Sequence, residues 1–374
     1  MRVLVAGDFC PRNRLATIIQ NGDGSSVLKE VKQLIHKEYD YAIVNYESPV
    51  TESGFNPIIK CGPNLHSSRS GVALCKDTGF NCLCLANNHI FDFGYDGMMA
   101  TTKAAENEGL QWVGVGDNIR KAGRVLYVEC AGDKLAIINC CEHEFSVAGD
   151  NTPGANPINP CQQYYAIQEA KENADYVLLI VHGGHEHWQL PSPRMVELYR
   201  YFVDVGADAV VNHHQHCFSG YEVYKKKPIF YGLGNFCFDI EPKRIDAPWN
   251  YGYLAGLEFK NNSTSFVIHP YKQCAEEAIV TLLPSNAFDE DFNRINSIIE
   301  NPEKLSAETG LYYRKEMNRI KSIVEPLRNR FVAGAQRKGW LPSFVNKSWL
   351  VTLQGFVQCE AHHDKLMYFF KNFK

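Results

Sequence analysis

The sequence predicts an α/β fold in which mixed β-sheets are flanked by helices. Three observations support this prediction. Short apolar runs rich in branched residues alternate with stretches of helical spacing as far as about residue 215. Two further pairs of apolar runs flank turn dipeptides, which is the pattern of antiparallel hairpins. After about residue 285 long helical patterns replace this alternation.

The individual elements follow from these patterns in chain order. The predicted strands are VLVAG (3–7), YAIVN (41–45), NCLCLA (81–86), YVLLIV (176–181) and ADAVVN (207–212). Helical spacing that ends near glycine or a charged last turn predicts helices over VLKEVKQLIHKEY (27–39), GMMATTKAAENEG (97–109) and PRMVELYRYFVDVG (193–206). The predicted hairpins are RVLYVEC with KLAIINC around Gly132-Asp133, and YGYLAGLEF with TSFVIHPY around Asn261-Asn262. The result is a layered α/β arrangement whose sheets contain both parallel and antiparallel strands.

The C-terminal part of the chain has a different pattern. FDEDFNRINSIIENPEKL (288–305), LYYRKEMNRIKSIVEPLRNRFVAG (311–334) and the final segment to Lys374 keep helical spacing. We therefore predict two units, an α/β domain over residues 1–284 and a helical extension over residues 285–374. The extension either packs back on the core or offers its helices to a partner.

Composition excludes several classes of protein. The 374 residues are 45% apolar and 21% charged with a formal net charge of −4, so no basic footprint for nucleic acid is present. The N-terminal MRVLVAGDFC has an apolar run too short for a signal peptide or a membrane span, which predicts a cytoplasmic location. The thirteen cysteines are scattered, include no CxxC pair and are typical of reduced thiols.

Polar residues follow almost every predicted strand. They are Gly7-Asp8, Asn45-Tyr46-Glu47, Asn87-Asn88-His89, the segment His182-Gly-Gly-His185-Glu186-His187, and His213-His214-Gln215-His216. Because the carboxyl ends of parallel strands share one edge of a sheet, five loops are expected to converge on one rim. Carboxylate, amide oxygen and imidazole are ligands for zinc, manganese or iron. Six of the thirteen histidines lie between residues 182 and 216, which favours a divalent metal site.

Each of these residues also has a simpler interpretation. Asp8 could cap a helix, and Glu47 could be a solvated loop charge. Asn87-Asn88 could make only a turn. His89 taken alone would more often be an ordinary imidazole. His214-x-His216 is more specific, because residues i and i+2 of an extended segment point the same way and could present two rings to one ion.

Other segments give weaker signals. Gly183-Gly184 and Gly232-Leu-Gly234-Asn235 could line the site or make plain turns. Residues 142–161 could form one wall of a pocket or a surface excursion, and the second interpretation is slightly favoured. The sequence contains no G-x-S-x-G elbow, no P-loop and no GxGxxG after a strand, so serine-nucleophile catalysis and the common modes of nucleotide binding are unsupported.

Seven motifs together resemble a known family. In order they are GD (7–8), NYESPVT (45–51), LANNHIFDFG (85–94), TTKAAENEGLQWVGVG (101–116), VHGGHE (181–186), VGADAVVNHHQH (205–216) and IFYGLGNFCFD (229–239). They resemble the CapA-type proteins of poly-γ-glutamate capsule biosynthesis, which in turn are similar to calcineurin-like metallophosphoesterases. The resemblance covers roughly residues 1 to 270 and implies a metallophosphatase-like double-sheet α/β sandwich with one or two divalent metal ions, Mn, Fe or Zn.

The resemblance also implies roles for individual residues. It implies a metal ligand set of Asp8, Glu47, Asn88, His182, His214 and His216. Asp8 and His216 would bind the first ion, Glu47 would bridge, and the other three would hold the second. His89 would be the general acid or a charge-stabilising imidazole. The positions matched as substrate contacts or outer residues of the site are Asn45, Asn87, Glu186 and Asn235. In the phosphoesterase pattern, His stands where this chain has Cys10, and Asp stands where it has Glu47.

These matches lead to two main hypotheses. The first is a metal-dependent hydrolase that acts on a phosphoester or a γ-linked precursor, small or polymeric, in capsule or exopolysaccharide metabolism. The second is a non-catalytic binding or assembly component of such a pathway, with a vestigial metal site and a protein partner bound through the C-terminal helices. A third, purely structural interpretation predicts that no metal binds.

Overall fold

The computed structural model describes residues 1–240, 248–324, 340 and 346–372, with the side chains of 318–324 and 371 excluded. In chain order the strands of this part are β1 (Arg2–Cys10), β2 (Tyr41–Tyr46), β3 (Cys82–Cys84), β4 (Gln111–Val113), β5 (Val115–Gly116), β6 (Leu126–Cys130), β7 (Asp133–Cys141), β8 (Gly154–Ala155), β9 (Tyr176–His182), β10 (Ala209–His213), β11 (Tyr221–Tyr224), β12 (Lys227–Phe230), β13 (Asn235–Phe238), β14 (Tyr251–Lys260), β15 (Ser263–Gln273) and β16 (Val280–Leu282). The helices are α1 (Arg14–Gln20), α2 (Gly24–Val27), α3 (Lys29–Glu38), α4 (Arg69–Thr78), α5 (Gly94–Asn107), α6 (Ile119–Ala122), α7 (Pro160–Asn173), α8 (Pro193–Asp204), α9 (Asp289–Ile299), α10 (Pro302–Val324), α11 (Lys347–Gln358) and α12 (Glu360–Asn372).

The first sheet is built around β1. Its order is β16-β15-β14-β1-β2-β3-β4, and β13 also pairs with β1. Along β1 the side chains alternate, so that Val3 and Val5 enter the core between the two sheets while Leu4 and Ala6 pack under the helices on the outer face. Because both faces are covered, the strand is an almost continuous apolar run, as the sequence shows.

The second sheet has the order β11-β12-β10-β9-β7-β6. Its central strands β7, β9, β10 and β12 are parallel, and antiparallel hairpins form both edges. Residues of both sheets share one core cluster, which places the sheets face to face, with helices on the outer sides. This confirms the predicted α/β class and the double-sheet sandwich with mixed sheets.

Both predicted hairpins are present. Asn261 and Asn262 form the two-residue loop between β14 and β15, each with positive φ, as a type I′ turn requires. The other loop is Ala131-Gly132 rather than the predicted Gly132-Asp133, because Asp133 already pairs with Cys130 in the ladder. The loop residues again both have positive φ, which glycine adopts at little cost and alanine does not.

The parallel strands bring the predicted polar residues to one edge of the sandwich. Asp8 pairs in register with Asn45 across β1 and β2, and His182 pairs with His213 across β9 and β10. Gly7 allows a close approach of β13, since a Cβ atom there would lie 2.0 Å from the carbonyl oxygen of Gly234. That approach places Asn235 opposite Asp8.

The helical character of the C-terminal region is observed in α9 to α12. Residues 325–334 of the predicted helical stretch lie outside the described residues. Phe288, Phe292 and Ile295 belong to the same apolar cluster as the two sheets. Phe288 stacks on Phe218 with ring centroids 4.3 Å apart. Among the helices formed by described residues, none combines the length and the apolar composition that crossing a bilayer requires.

Replacement of Phe292 with alanine tests how firmly α9 belongs to the core. Phe292 is 7% exposed and packs edge to face on Tyr253 at 5.4 Å. We expect Phe292→Ala to lower the free energy of unfolding by about 3–5 kcal/mol in chemical denaturation, because a buried cavity replaces the ring. The matched control is Phe370→Ala, since Phe370 is 54% exposed, and it should change stability by less than about 1 kcal/mol. Equal effects of the two substitutions would contradict this packing.

Candidate metal centre

Two groups of potential ligands meet at the rim. Among the described residues, Glu47, His182 and His214 form one group and Asp8, Glu47 and His216 form the other. In each group the ligand atoms lie within 4.8 Å of one another, and all five side chains are buried. Glu47 belongs to both groups. We call them the His182 cluster and the Asp8 cluster.

The His182 cluster converges on the Nε2 atom of His182. This nitrogen lies 3.0 Å from Oδ1 of Asn88, 3.1 Å from Nδ1 of His214 and 3.5 Å from Oε1 of Glu47. The side-chain oxygen of Asn88 therefore lies beside the cluster. These four atoms all carry lone pairs. At such short separations they are better suited to binding a cation together than to contacting one another directly.

The Asp8 cluster meets the His182 cluster at Oε1 of Glu47. The ring of His216 places Nε2 3.8 Å from Oε1 of Glu47 and Nδ1 3.8 Å from Oδ2 of Asp8. The Asp8 carboxylate is fixed by two donors, the side-chain amide of Asn45 at 2.7 Å and the backbone N–H of His214 at 3.0 Å. Asn45 thus touches a candidate ligand and holds it in place.

Burial of so many ionisable groups is costly without a cation. Both carboxylate oxygens of Glu47 are buried and have no hydrogen-bond partner among the described residues. Burial raises the pKa of Glu47 well above its usual value, and the neighbouring Asp8 raises it further. Burial likewise raises the pKa of Asp8 to about 7. Unpartnered buried carboxylate oxygens beside imidazoles fit a divalent cation, which would favour the charged form of both acids.

Two histidines of the clusters, His182 and His216, have pKa values that favour the neutral form, which binds metals. Burial lowers the pKa of His182 well below its usual value, and neighbouring imidazoles add to the effect. Burial also lowers the pKa of His216 to about 3. Neutral imidazoles offer a lone pair to an ion, whereas protonated ones would repel it.

His214 and His216 reach the clusters through unusual backbone. The possibility that they lie on an extended segment and face one ion is not realised, whereas the family resemblance implies different ions for them. Strand β10 ends at His213, and the φ angles of His214 and His216 are 91° and 55°. Left-handed conformations are strained for residues other than glycine and reverse the usual side-chain direction. As a result, the two rings enter different clusters.

The loop after β3 gives its three polar residues three different places. The side chain of Asn87 accepts hydrogen bonds from the backbone N–H groups of His89 and Ile90, at 3.1 and 2.9 Å. Its amide also donates to the carbonyl oxygen of Tyr46 at 3.0 Å, so Asn87 holds the turn. Asn88 places its side-chain oxygen beside the His182 cluster. His89 lies beside the clusters and belongs to neither.

His89 is held by two residues that the sequence interpretation missed. Its Nδ1 atom lies 2.7 Å from Oδ2 of Asp92 and 3.0 Å from Nζ of Lys60, and Lys60 and Asp92 form a buried ion pair. Burial lowers the pKa of His89, and the charge of Lys60 lowers it further, while Asp92 opposes both. Nε2 is the nitrogen on the opposite side of the ring. Asp92 follows His89 by three residues, a local signal that could have been recognised.

The remaining predicted residues lie around the clusters. Asn235 accepts a hydrogen bond from Nδ1 of His216 at 2.9 Å, which leaves Nε2 of that ring facing Glu47. Glu186 is exposed at the end of β9. His213 points away from the clusters, with Nε2 2.9 Å from the carbonyl oxygen of Ala6. Cys10 is buried but belongs to neither cluster.

Residues 142–146 form a wall of the site, whereas Asp150, Asn151 and Thr152 of the predicted segment 142–161 are exposed at the surface. Glu142, Ser146 and Asn156 are buried. Ser146 donates to the backbone carbonyl of Asn88 at 2.6 Å, and Glu144 lies 3.4 Å from the Asn88 amide. Hydrogen bonds to a candidate ligand fix this segment against the rim.

The C-terminal helix α12 contacts the same wall. The carboxylate of Glu360 accepts hydrogen bonds from the backbone N–H of His143, at 2.9 Å, and from its ring. Arg194 bridges Glu142 at 2.6 Å and Asp364 at 2.9 Å. The phenol of Tyr313 in α10 lies 2.9 Å from Nε2 of His185. The extension therefore borders the site.

The His143–Glu360 pair predicts a pH-dependent contribution to stability. The hydrogen bond to Glu360 raises the pKa of His143 above 6.5, so this contribution is complete below that pH and is lost as the pH rises through the folded pKa. Burial raises the pKa of Glu360, but the hydrogen bonds from His143 prevail and lower it below 4.5, so its contribution is lost in acid. The stability difference between wild type and Glu360→Ala should therefore be largest between pH 4.5 and 6.5.

Chemical denaturation at several pH values checks this prediction. Since the pair is partly exposed, the difference should shrink by less than about 1 kcal/mol between pH 6 and pH 9. A difference that instead grew over that range would contradict the assignment.

Comparison with known proteins shows which protein family the chain matches. A family model described as "Bacterial capsule synthesis protein PGA_cap" matches residues 2–240. The "Capsule biosynthesis protein CapA" of Bacillus anthracis is 33% identical over 247 residues, which are 64% of this chain and 60% of that protein. The "PGA biosynthesis protein CapA" of Bacillus subtilis is 32% identical over 236 residues, or 62% of each chain. The chain thus spans about 60% of the length of these curated relatives.

Solved structures give more distant similarities. A putative 5′-nucleotidase from Staphylococcus aureus is 15% identical with a TM-score of 0.47, covering 82% of this chain and 58% of that one. A hypothetical protein from Thermus thermophilus is 18% identical with a TM-score of 0.44, covering 76% and 100%.

Proposed function

Because the chain belongs to the bacterial capsule synthesis protein family PGA_cap, we propose that it is a metal-dependent hydrolase of a capsule or exopolysaccharide pathway. Its substrate would be a phosphoester or a γ-linked precursor. One observation carries this proposal: two buried ligand clusters share Glu47, whose carboxylate oxygens have no other partner among the described residues. The relatives named for capsule and PGA biosynthesis support the choice of pathway.

The proposed metal ligands are the residues of the two clusters together with Asn88. Asp8 and His216 would hold one ion, Asn88, His182 and His214 the other, and Glu47 would contact both. Divalent ions held there supply Lewis-acid polarisation of the scissile group and lower the pKa of water. The protein contributes fixed donor positions, set by Asn45 at Asp8 and by Asn235 at His216.

His89 is the proposed proton donor to the leaving oxygen. Asp92 and Lys60 hold its Nδ1 side, so that Nε2 is the atom that exchanges a proton with the substrate. Burial and the Lys60 charge lower the pKa of His89, which makes the protonated ring a stronger acid toward a weakly basic leaving oxygen. The protonated ring becomes scarcer as the pH rises, so the contribution of His89 to turnover should fall as the pH increases through its lowered pKa.

Metal reconstitution combined with a substrate panel tests the proposal. The chelated protein is titrated with Mn²⁺ and with Zn²⁺ while an aryl phosphate and a γ-glutamyl oligomer are assayed for hydrolysis. We expect one or two ions to bind and one substrate class to be hydrolysed only in their presence. Ion binding without hydrolysis of either class would overturn the enzymatic proposal and favour a binding component of the pathway.

A further inference from the structure

Glu144 lies behind two of the proposed ligands of the His182 cluster. Its side chain is 10% exposed, and its Oε1 atom lies 3.6 Å from Nε2 of His214. Its Oε2 atom accepts a hydrogen bond from Nδ2 of Asn88 at 3.4 Å. One carboxylate therefore faces the outer polar ends of two ligands at once.

The opposite ends of the same two side chains face the cluster. Oδ1 of Asn88 and Nδ1 of His214 both lie close to Nε2 of His182, at 3.0 and 3.1 Å. An imidazole that ligates a metal commonly donates its other N–H to a carboxylate, which fixes its tautomer and orientation. If the Glu144 carboxylate attracts the N–H at Nε2 of His214, the lone pair of that ring stands on Nδ1. Because the same carboxylate accepts a hydrogen bond from the Asn88 amide nitrogen, the Asn88 oxygen faces the cluster.

We infer that Glu144 is a positioning residue for the proposed metal centre and that the C-terminal helices hold it in place. This inference depends on the metal-binding part of the proposed function and not on hydrolysis. No contact between Glu144 and the substrate is proposed. It acts by fixing Asn88 and His214 in the orientation that an ion in the His182 cluster requires.

Helices α11 and α12, together with the residue between them, contact the three successive residues 143–145. Glu360 binds the backbone of His143, and Sγ of Cys359 lies 3.8 Å from Oε1 of Glu144. A Cβ atom at Gly355 would lie 3.1 Å from the ring of Phe145, so these helices pack closely on that ring. The family match ends at residue 240, so these helices bring to the site contacts that the family model does not include.

Titration of the chain over residues 1–374 with Mn²⁺ tests the role of Glu144. In Glu144→Ala we expect the ion of the His182 cluster to bind about 10–100-fold more weakly, as is typical when an outer carboxylate is removed. The ion of the Asp8 cluster should keep its affinity. Glu144→Gln retains one acceptor oxygen and should lose less. With Co²⁺ as the probe, the visible absorption of the His182 cluster should change in Glu144→Ala.

The matched control is Glu222→Gln. Glu222 is a largely buried carboxylate like Glu144, but its partners are Arg200 at 2.6 Å and Tyr231, and it belongs to neither cluster. Its loss should lower thermal stability and leave ion affinity unchanged. Wild-type affinity in Glu144→Ala, or an equal loss in Glu222→Gln, would overturn the inference. A wild-type protein that binds ions but hydrolyses nothing would overturn only the enzymatic proposal.

A double-mutant cycle tests the contribution of the helices. Glu360→Ala should weaken the same ion, because it releases the backbone of His143 beside Glu144. Combined with Glu144→Ala it should add little, since both changes act through one contact path. His363→Ala, an exposed neighbour on the same helix, serves as the control. Full additivity of the two losses would overturn the role assigned to the helices.

Discussion

Replacing Glu47 with glutamine is expected to abolish tight binding of divalent ions and, with it, any ion-dependent turnover. Glu47 is the only residue common to both clusters found in the described part of the chain. Its Oε1 atom lies within 3.8 Å of Nε2 in both His182 and His216. Because a direct ligand is removed from both groups, the loss of affinity should exceed the roughly 10–100-fold expected for an outer residue.

The same substitution should barely change the stability of the metal-free protein. Burial raises the pKa of Glu47 well above its usual value, which favours the uncharged side chain when no ion is bound. Glutamine has the same shape and the same charge as that form. We expect the unfolding free energies of the two metal-free proteins to agree within about 1 kcal/mol.

Added ion should then separate the two proteins. At an Mn²⁺ concentration 100 times the dissociation constant, binding stabilises the wild type by about 2.7 kcal/mol, whereas Glu47→Gln should gain almost nothing. Calorimetric titration and denaturation with and without Mn²⁺ measure both effects. Glu52→Gln, an exposed residue of the same loop, is the control. If Glu47→Gln kept wild-type ion affinity, the two clusters would not be a metal centre.

Replacing His89 with alanine is expected to lower turnover by about 10²–10⁴-fold while ion binding persists. The ring belongs to neither cluster, so ion affinity should stay within a few-fold of wild type. The loss reflects the missing proton donor, since Asp92 and Lys60 lie on the far side of the ring and cannot take its place.

The leaving group distinguishes a proton donor from a general disturbance. For a phosphoester substrate, the loss in His89→Ala should be larger with an alkyl leaving group than with p-nitrophenolate, which departs readily without a proton. Steady-state kinetics on both substrates, with His363→Ala as the exposed control, measure this difference. Equal losses on both substrates would show that His89 acts by another route.

Much of the fold could be predicted because its strands are buried on both faces. The short run VLVAG contains branched residues and predicted a strand at residues 3–7, which lies inside the longer β1. The two hairpins were also recognisable, although one loop lies one residue earlier than expected. The division of the chain at residue 284 stays a prediction. The packing of Phe288 and Phe292 with the sheets shows that α9 shares the main core.

The types of residue at the candidate site were predictable from the sequence, but their positions relative to one another were less so. Lys60 lies 29 positions from His89, and Glu144 lies 56 positions from Asn88, so no local pattern marked either residue. The departure of His214 and His216 from an extended segment could not be predicted, because the positive φ angles after β10 carry no clear sequence signal in a run of histidines.

The sequence by itself determined which chemical groups stand at the ends of the strands. Apolar runs force the chain into buried strands, and the first polar residue after each run must lie at the edge of a sheet. Tertiary structure decided which of these groups meet. A carboxylate shared by two clusters, such as Glu47, arises only when two packed sheets bring the ends of β2 and β9 and the loop after β10 within a few ångströms of one another. It also decided that residues far along the chain lie against the site, since contacts such as Cys359 with Glu144 depend on packing between distant segments.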